Sequence, residues 1–278
     1  MKTNRIGLPS GSLFQATTDL LKKVGIIVRN NGRGFIAEIE GSNIFTEAFI
    51  TRPDRLPRAV ASGKVDAAIT GWDFVLEKGF LGKIIKVADL DYSKTSMRPA
   101  RIVVFSRKDE IVDRGDIKVL SEYPELTKKI FKRSIIEFSS GTTEADVALG
   151  IFDFGVGVVE TGKSLSDNGL KILETITSSP AVLITRDRSE EIEIFGEMLR
   201  GALRAEKFVL IKFNIDAGDE KKILKVIPSL ESPTVNNLAD GNTAIETVVL
   251  KGEMSDVIVA IKKAGGRKII VQRLDVSM

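Results

Sequence analysis

The chain has 278 residues, 43% of them hydrophobic and 28% charged, with a formal net charge of +3. That balance excludes a disordered polymer and a bundle of membrane spans, and at roughly 150 residues per domain it predicts about two domains, or three smaller ones. Cysteine and histidine are both absent, which excludes disulfides, zinc–thiolate and iron–sulfur centres, thiol nucleophiles, Ser-His-Asp triads and HExxH metalloproteases, and leaves the chemistry to carboxylates, Lys, Arg, hydroxyls, backbone amides or a hard cation such as magnesium.

Lys and Arg are spread along the chain, which suits an anionic small molecule and offers no basic stripe for nucleic acid. The N-terminus, MKTNRIGLPSGSLF, has a basic start without an apolar stretch behind it. No apolar run approaches the ~18 residues of a membrane span, so a cytoplasmic protein with no membrane partner is expected.

In chain order, Arg5–Leu8 reads as a strand and Leu13–Val24 as an amphipathic helix with Ser12 at its N-cap. Ala48–Thr51 is a strand, Leu56–Ala61 a short helix stopped by Gly63, Val65–Thr70 an apolar strand and Phe74–Lys78 a helix. Strands alternating with helices predict an α/β domain with a largely parallel sheet. A second block begins near Arg98-Pro99, with a strand at Arg101–Ser106, a helix at Glu122–Phe131 and a strand at Arg133–Ser139. Then come a helix Ala145–Leu149, strands at Phe154–Val159, Leu170–Ile176 and Val182–Thr185, and a long amphipathic helix, Glu190–Arg204.

The last block reads strand Val209–Ile215, helix Asp219–Val226, strands Thr234–Leu238 and Thr243–Leu250, helix Asp256–Ala264 capped by Ser255, and strand Lys268–Leu274. The order βαββαβ in about 70 residues is ferredoxin-like. The hand-over near Ala205–Phe208 is the clearest boundary from the residues alone.

Four loops that follow strands are rich in Gly, Ser or Thr: Ser10-Gly11-Ser12, Thr70–Asp73, Ser139–Glu144 and Glu160–Leu165. In open α/β sheets, ligands bind beyond the carboxyl ends of strands, where helix N-termini present unpaired amides suited to phosphate. Taken singly, each loop is also ordinary turn chemistry. Trp72, the only tryptophan, either lines a cleft or packs on a sheet, and burial of large aromatics favours packing.

The most specific segment is Asp153 followed by Glu160-Thr161-Gly162-Lys163-Ser164-Leu165 and Asn168-Gly169-Leu170. It resembles the phosphoribosyl-pyrophosphate loop of the ATP phosphoribosyltransferases, Asp-x(6)-Glu-Thr-Gly-x-Thr-Leu-x-x-Asn-Gly-Leu, with Ser164 where Thr is usual. Gly63–Asp73 and Ser140–Ala145 are similar to two further stretches of that family. Ser232-Pro233-Thr234-Val235 with Ala239-Asp240 is similar to the regulatory domain of its long form. The resemblance implies two α/β lobes of periplasmic-binding-protein type around a cleft, with a ferredoxin-like C-terminal domain. Residues 1–98 and 178–205 would form lobe I, 99–177 lobe II and 206–278 the regulatory domain.

The resemblance also implies transfer of the phosphoribosyl group from phosphoribosyl pyrophosphate to N1 of ATP. That is the first step of histidine biosynthesis, with Mg2+ required, histidine as inhibitor and a hexamer as the assembly. Adenine N1 carries a free lone pair, so no strong base is needed; the difficulty is the positive charge gathering on the sugar and the negative charge on the departing pyrophosphate. The expected roles are catalytic for Asp153 and Glu144, with Asp153 or Glu160 binding the ribose hydroxyls. Glu160, Thr161, Gly162, Lys163, Ser164 and Leu165 would cradle the 5′-phosphate. Ser10, Gly11, Ser12, Thr70, Gly71 and Asp73 would hold the nucleotide, Ser232, Pro233 and Thr234 the regulator, and no metal ligand is assigned. Glu144 is equally placed to serve only the helix dipole.

Two departures stand out. The family's first loop reads Pro-Lys-Gly-Arg-Leu, whereas Pro9-Ser10-Gly11-Ser12-Leu13 lacks both cations; and Gly157 stands where the family has a second Asp. Lys163, Arg52 or Arg98 would then supply the missing charge. The same losses would fit a non-catalytic or altered-acceptor relative, and the two lobes alone would fit a solute-binding protein.

Overall fold

The computed structural model describes residues 4–30, 34–90, 100–228, 230 and 232–277. The expected start of the second block at Arg98-Pro99, and Arg98 as a substitute cation, lie outside the described residues. Two compact units divide the chain at Gly196/Glu197.

The first unit holds two sheets. In the first, β1 (Arg5–Pro9) lies between β4 (Glu47–Thr51) and β5 (Ala67–Gly71), all parallel. β12 (Ala181–Thr185) runs antiparallel against β5 and against β6 (Ile85–Leu90), while β2 (Ile27–Arg29) and β3 (Ile36–Glu40) extend the other edge beyond β4. The whole of β5 is buried, as expected of a central parallel strand covered on both faces. Helices α1 (Phe14–Lys23), α2 (Leu56–Ala61) and α3 (Trp72–Glu77) follow the three parallel strands.

The second sheet has the order β11-β7-β10-β8-β9. β7 (Ala100–Ser106) and β11 (Lys171–Ser179) are antiparallel to each other, and β7 is antiparallel to β10 (Phe154–Val159). β10 is parallel to β8 (Lys118–Ser121), which is parallel to β9 (Ile135–Phe138). Helices α4 (Pro124–Thr127), α5 (Thr143–Leu149) and α6 (Lys163–Asp167) open at the carboxyl ends of β8, β9 and β10. After β11 the chain returns at Pro180 to the first sheet, and α7 (Glu190–Ala205) leads into the second unit.

The second unit is a four-stranded antiparallel sheet, β14-β15-β13-β16, of Thr234–Asn237, Thr243–Leu250, Phe208–Ile215 and Arg267–Arg273. With α8 (Glu220–Ile223) and α9 (Met254–Lys263) it has the expected ferredoxin-like order. Ile211, Phe213, Ile245, Val257 and Ile261 form its core. β14 is exposed throughout and β16 nearly so.

Several sequence expectations need correcting. Four short strands, β2, β3, β6 and β8, were not foreseen. The helix expected over Glu122–Phe131 is only four residues long. Pro124 fits its first turn, where a missing N–H costs nothing, and Asp113 stops the chain from continuing as helix. Its carboxylate accepts N–H bonds from Lys132 at 2.9 Å, Arg133 at 2.9 Å and Ser134 at 2.9 Å, plus the Ser134 hydroxyl at 2.8 Å. Ser12 caps nothing: a 3-10 turn covers Gly11–Leu13 and no side chain caps α1. At α9 the N-cap residue is Glu253, and Ser255 lies inside the helix.

Asp113 carries a prediction. Desolvation pushes its pKa up, but the Arg133 amide, the Ser134 hydroxyl and the Lys132 and Ser134 amides outweigh that and hold it at about 2. A lowered folded-state pKa adds stability above the unfolded value of 3.8 and loses it as pH falls through about 2. Asp113→Asn should therefore lower Tm at pH 7 and flatten the fall of Tm between pH 4 and pH 2. Parallel Tm–pH curves for the two proteins would remove Asp113 as the cause.

Candidate functional site

The carboxyl ends of the parallel strands in the two sheets supply six loops: Ser10 after β1, Arg52 after β4, Trp72 after β5, Glu122 after β8, Ser139 after β9 and Glu160 after β10. A cleft of about 280 Å³ is lined from the first sheet by Arg52, Asp54, Phe74, Glu77 and Lys78, and from the second by Glu122, Tyr123, Phe138, Ser139, Ser140 and Val158. Two of these loops, at Arg52 and Glu122, were not among the four expected ones. Glu122 was hidden because Lys118–Ser121 was not read as a strand; the apolar run Val119-Leu120 before Ser121 and a proline two residues after Glu122 were the available signal.

The loop after β10 turns sharply into α6. Gly162 is the N-cap of α6 with φ +79°, a left-handed conformation that favours glycine. Thr161 and Ser164 are exposed, and the Thr161 hydroxyl accepts weakly from the Lys163 amide at 3.4 Å. Leu165 is a correction: at 1% exposure it packs with Val103, Phe105, Val147 and Leu170, anchoring the loop from below instead of touching a ligand.

Asp153 is a second correction. It precedes β10, whereas Glu160 follows it, and at ~3.3 Å per residue the strand separates them by roughly 20 Å. There Asp153 pairs with Lys108 at 2.6 Å and accepts the Lys118 amide at 2.9 Å. Despite some desolvation, the Lys108 hydrogen bond and charge hold its pKa down. It fastens the far end of the sheet.

The segment Thr70–Asp73 turns inward, which corrects its assignment to the nucleotide. Thr70 is buried and donates to the Pro53 carbonyl at 2.8 Å. Asp73, 3% exposed, accepts from the Tyr123 hydroxyl at 2.7 Å and the Ser179 hydroxyl at 2.5 Å. Gly71 is needed because a Cβ there would lie 2.2 Å from Asp73 Oδ1. Burial raises the Asp73 pKa, opposed by those two hydroxyls and nearby amides. One turn on, Glu77 accepts the backbone N–H groups of Glu125 and Leu126, each at 3.0 Å. Two carboxylates of α3 thus grip the second sheet's side. Trp72 packs beside Val75, Ile84 and Val182 with Lys86 Nζ 4.9 Å from its ring centre, which favours packing over a cleft role.

At the mouth of β9, Ser139 accepts the Gly141 amide at 3.2 Å and the Thr143 hydroxyl at 2.8 Å. Thr142 is held at φ +62°, costly for a residue with a Cβ. Glu144 lies in the first turn of α5 and its charge acts on Glu122. Desolvation first, then Glu144, then Asp73 raise the Glu122 pKa, against a 3.4 Å hydrogen bond from Thr143.

Ser10, Gly11 and Ser12 follow β1, and the Ser10 amide donates to the Thr51 carbonyl at 2.7 Å, which sets this loop beside Arg52. Arg52 is exposed and pairs with Asp54 at 3.1 Å. Lys163 is exposed on α6. In the second unit, Ser232, Pro233 and Thr234 lead into the exposed edge strand β14, paired with β15. Among the described residues, no three carboxylates converge as a metal cage. No described helix is long and apolar enough to cross a membrane.

The family model described as "ATP phosphoribosyltransferase" matches residues 52–203, and "HisG, C-terminal domain" matches residues 205–276. An ATP phosphoribosyltransferase of Solidesulfovibrio magneticus is 36% identical, covering 98% of this chain and 97% of its own. One from Nitratidesulfovibrio vulgaris strain DP4 is 34% identical with the same coverage. Among solved structures, the Thermotoga maritima ATP phosphoribosyl transferase (HisG:HisZ) complex has a chain that superposes with TM-score 0.56 at 23% identity. The match covers 66% of this chain and 88% of that one, and it supports the shared fold.

Proposed function

The chain belongs to the ATP phosphoribosyltransferase family, a family of pentosyl-transferring enzymes, and from that premise we propose how its own residues carry the transfer and what regulates it. The bond from C1 of the sugar to pyrophosphate breaks, its electron pair leaving on oxygen. The lone pair of adenine N1 forms the new bond to C1, and no proton need be removed first. The 5′-phosphate is held at Thr161, Gly162, Lys163 and Ser164, where a left-handed glycine and the amides opening α6 face outward. Glu160 opens that loop, and Glu144 lies in the first turn of α5, its charge acting on Glu122. The nucleotide lies toward Ser10, Gly11 and Ser12, where Arg52 takes over the charge that the two serines do not provide.

Magnesium supplies charge neutralisation at the leaving group. In this reading the ion would enter with the diphosphate of the substrate, as magnesium does in many phosphate-handling sites. Histidine acts at the second unit near Ser232–Thr234, the assembly is a hexamer, and the enzyme works in the cytoplasm, where ATP and phosphoribosyl pyrophosphate meet. The observation that carries the proposal is the loop Glu160–Ser164 at the carboxyl end of β10, with Thr161, Lys163 and Ser164 exposed, on the same edge of its sheet as Glu122 and Ser139.

The test is pyrophosphate release from the purified protein with ATP, phosphoribosyl pyrophosphate and magnesium, each omitted in turn. Release is expected only with all three, and histidine should suppress it. Binding of phosphoribosyl pyrophosphate without release would instead establish the altered-acceptor or non-catalytic relative.

A further inference from the structure

With Asp153 at the far end of β10, the sugar is left to carboxylates nearer the loop, and the cleft contains a candidate besides Glu160. Glu122 follows β8 directly, and β8 is paired in parallel with β10 so that Ser121 lies beside Val156. Glu122 is therefore level with Gly157, three residues or about 10 Å before Glu160 along the strand. A Cβ built on Gly157 would lie 3.4 Å from Glu122 Oε1. Gly157 is buried and sets no side chain against that carboxylate, and Glu122 lines the cleft together with Val158 and Ser139.

The Glu122 carboxylate is also poorly satisfied for a half-buried anion. The charges that act on it, from Glu144 and Asp73, are both negative, and its one hydrogen-bond donor among the described residues, the Thr143 hydroxyl, is 3.4 Å away and also bonded to Ser139. A carboxylate in that setting gains from new hydroxyl donors or from a positive centre. The sugar of a phosphoribosyl donor offers both: two vicinal hydroxyls, and a ring that gains positive charge as pyrophosphate leaves.

We propose that Glu122 is the ribose-binding carboxylate of this chain, accepting hydrogen bonds from the sugar hydroxyls in the cleft that it lines. This rests on the transfer described above and names the residue that serves its sugar. Its part is to orient the sugar and to stabilise the charge at C1.

The experiment compares the unmodified protein, Glu122→Gln, and Glu122→Gln combined with Gly157→Asp. Kinetics with ATP are followed alongside calorimetry with phosphoribosyl pyrophosphate and magnesium alone. Glu122→Gln should lower kcat/KM for phosphoribosyl pyrophosphate at least tenfold and weaken its binding, leaving ATP affinity and Tm within error. The double variant, which returns a carboxylate from the neighbouring strand, should recover most of the loss. Ribose 5-phosphate should bind the unmodified protein more tightly than 2-deoxyribose 5-phosphate, and Glu122→Gln should abolish that preference; a merely structural role would leave it intact. Unchanged binding and turnover in Glu122→Gln, or a preserved preference, would overturn the inference. If the unmodified protein binds phosphoribosyl pyrophosphate but releases no pyrophosphate, the transfer fails, and the binding comparison alone decides the role of Glu122.

Discussion

Replacing Thr161 and Gly162 together by alanine should weaken phosphoribosyl pyrophosphate binding roughly hundredfold while the protein remains folded. Two losses add. Gly162 has φ +79°, and forcing a residue with a Cβ into that conformation costs about 1–2 kcal/mol. The added methyl would also lie 3.2 Å from Ile172 Cδ1, so the loop must shift to relieve the contact. The Thr161 hydroxyl would be a charge-assisted donor to phosphate, worth about 1.5–3 kcal/mol. Since about 1.4 kcal/mol is one factor of ten, the lost hydroxyl alone accounts for one to two factors, and the shift of the loop that relieves the strain at residue 162 lowers affinity further. Leu165, buried 1% exposed beneath the loop, is untouched, so Tm should fall by no more than a few degrees. Calorimetric titration decides the matter: full affinity in the double variant would mean that the phosphate sits elsewhere. Thr161→Ser, which keeps the hydroxyl, should bind nearly as tightly as the unmodified protein.

Some of this was legible from residues alone because local chemistry and tertiary use agree. Phe154–Val159 is an apolar run with a glycine-containing turn behind it, and it is the strand that presents the loop. The C-terminal βαββαβ unit was readable because each of its long strands alternates: Phe208–Ile215 and Thr243–Leu250 bury every second residue against α8 and α9. What escaped was set by partners distant in sequence. Nothing near Asp113 says that it will capture the amides of Lys132, Arg133 and Ser134 and end a helix. The four-residue strand β8 carries too little pattern to be recognised alone, and without it Glu122 reads as part of a helix. Asp153 shows the opposite failure. Its place in a motif suggested a role in the site, but a motif that spans a whole strand has two ends, and only one faces the ligand.

The other large effect is expected at the joint between the two sheets of the first unit. Asp73→Ala would leave the Tyr123 and Ser179 hydroxyls, both buried, without their acceptor. Such orphaned groups cost about 1–3 kcal/mol each at most. With the small cavity left behind, a loss of about 3 kcal/mol is expected, or roughly 6–12 °C in Tm for a unit of this size. Asp73→Asn should cost much less, since the amide still fills the space and both hydroxyls can reorient as donor or acceptor. Because burial raises the Asp73 pKa above 3.8, the carboxyl's contribution is fully present below that value and is lost as pH rises through the folded-state value. Asp73→Asn, which cannot ionise, should therefore compare better with the unmodified protein at pH 7 than at pH 4. Glu77→Gln adds a kinetic signature. The Glu77 carboxylate holds the Glu125 and Leu126 amides, and through them the turn that carries Glu122 and Tyr123. Loosening that grip should raise KM for phosphoribosyl pyrophosphate several-fold before it affects Tm strongly, since an amide keeps one acceptor oxygen but loses the other. Differential scanning calorimetry across pH, with steady-state kinetics on the same three variants, would decide. An Asp73→Ala protein that melts within 2 °C of the unmodified one would mean that this joint carries no load, and that other contacts set the width of the cleft.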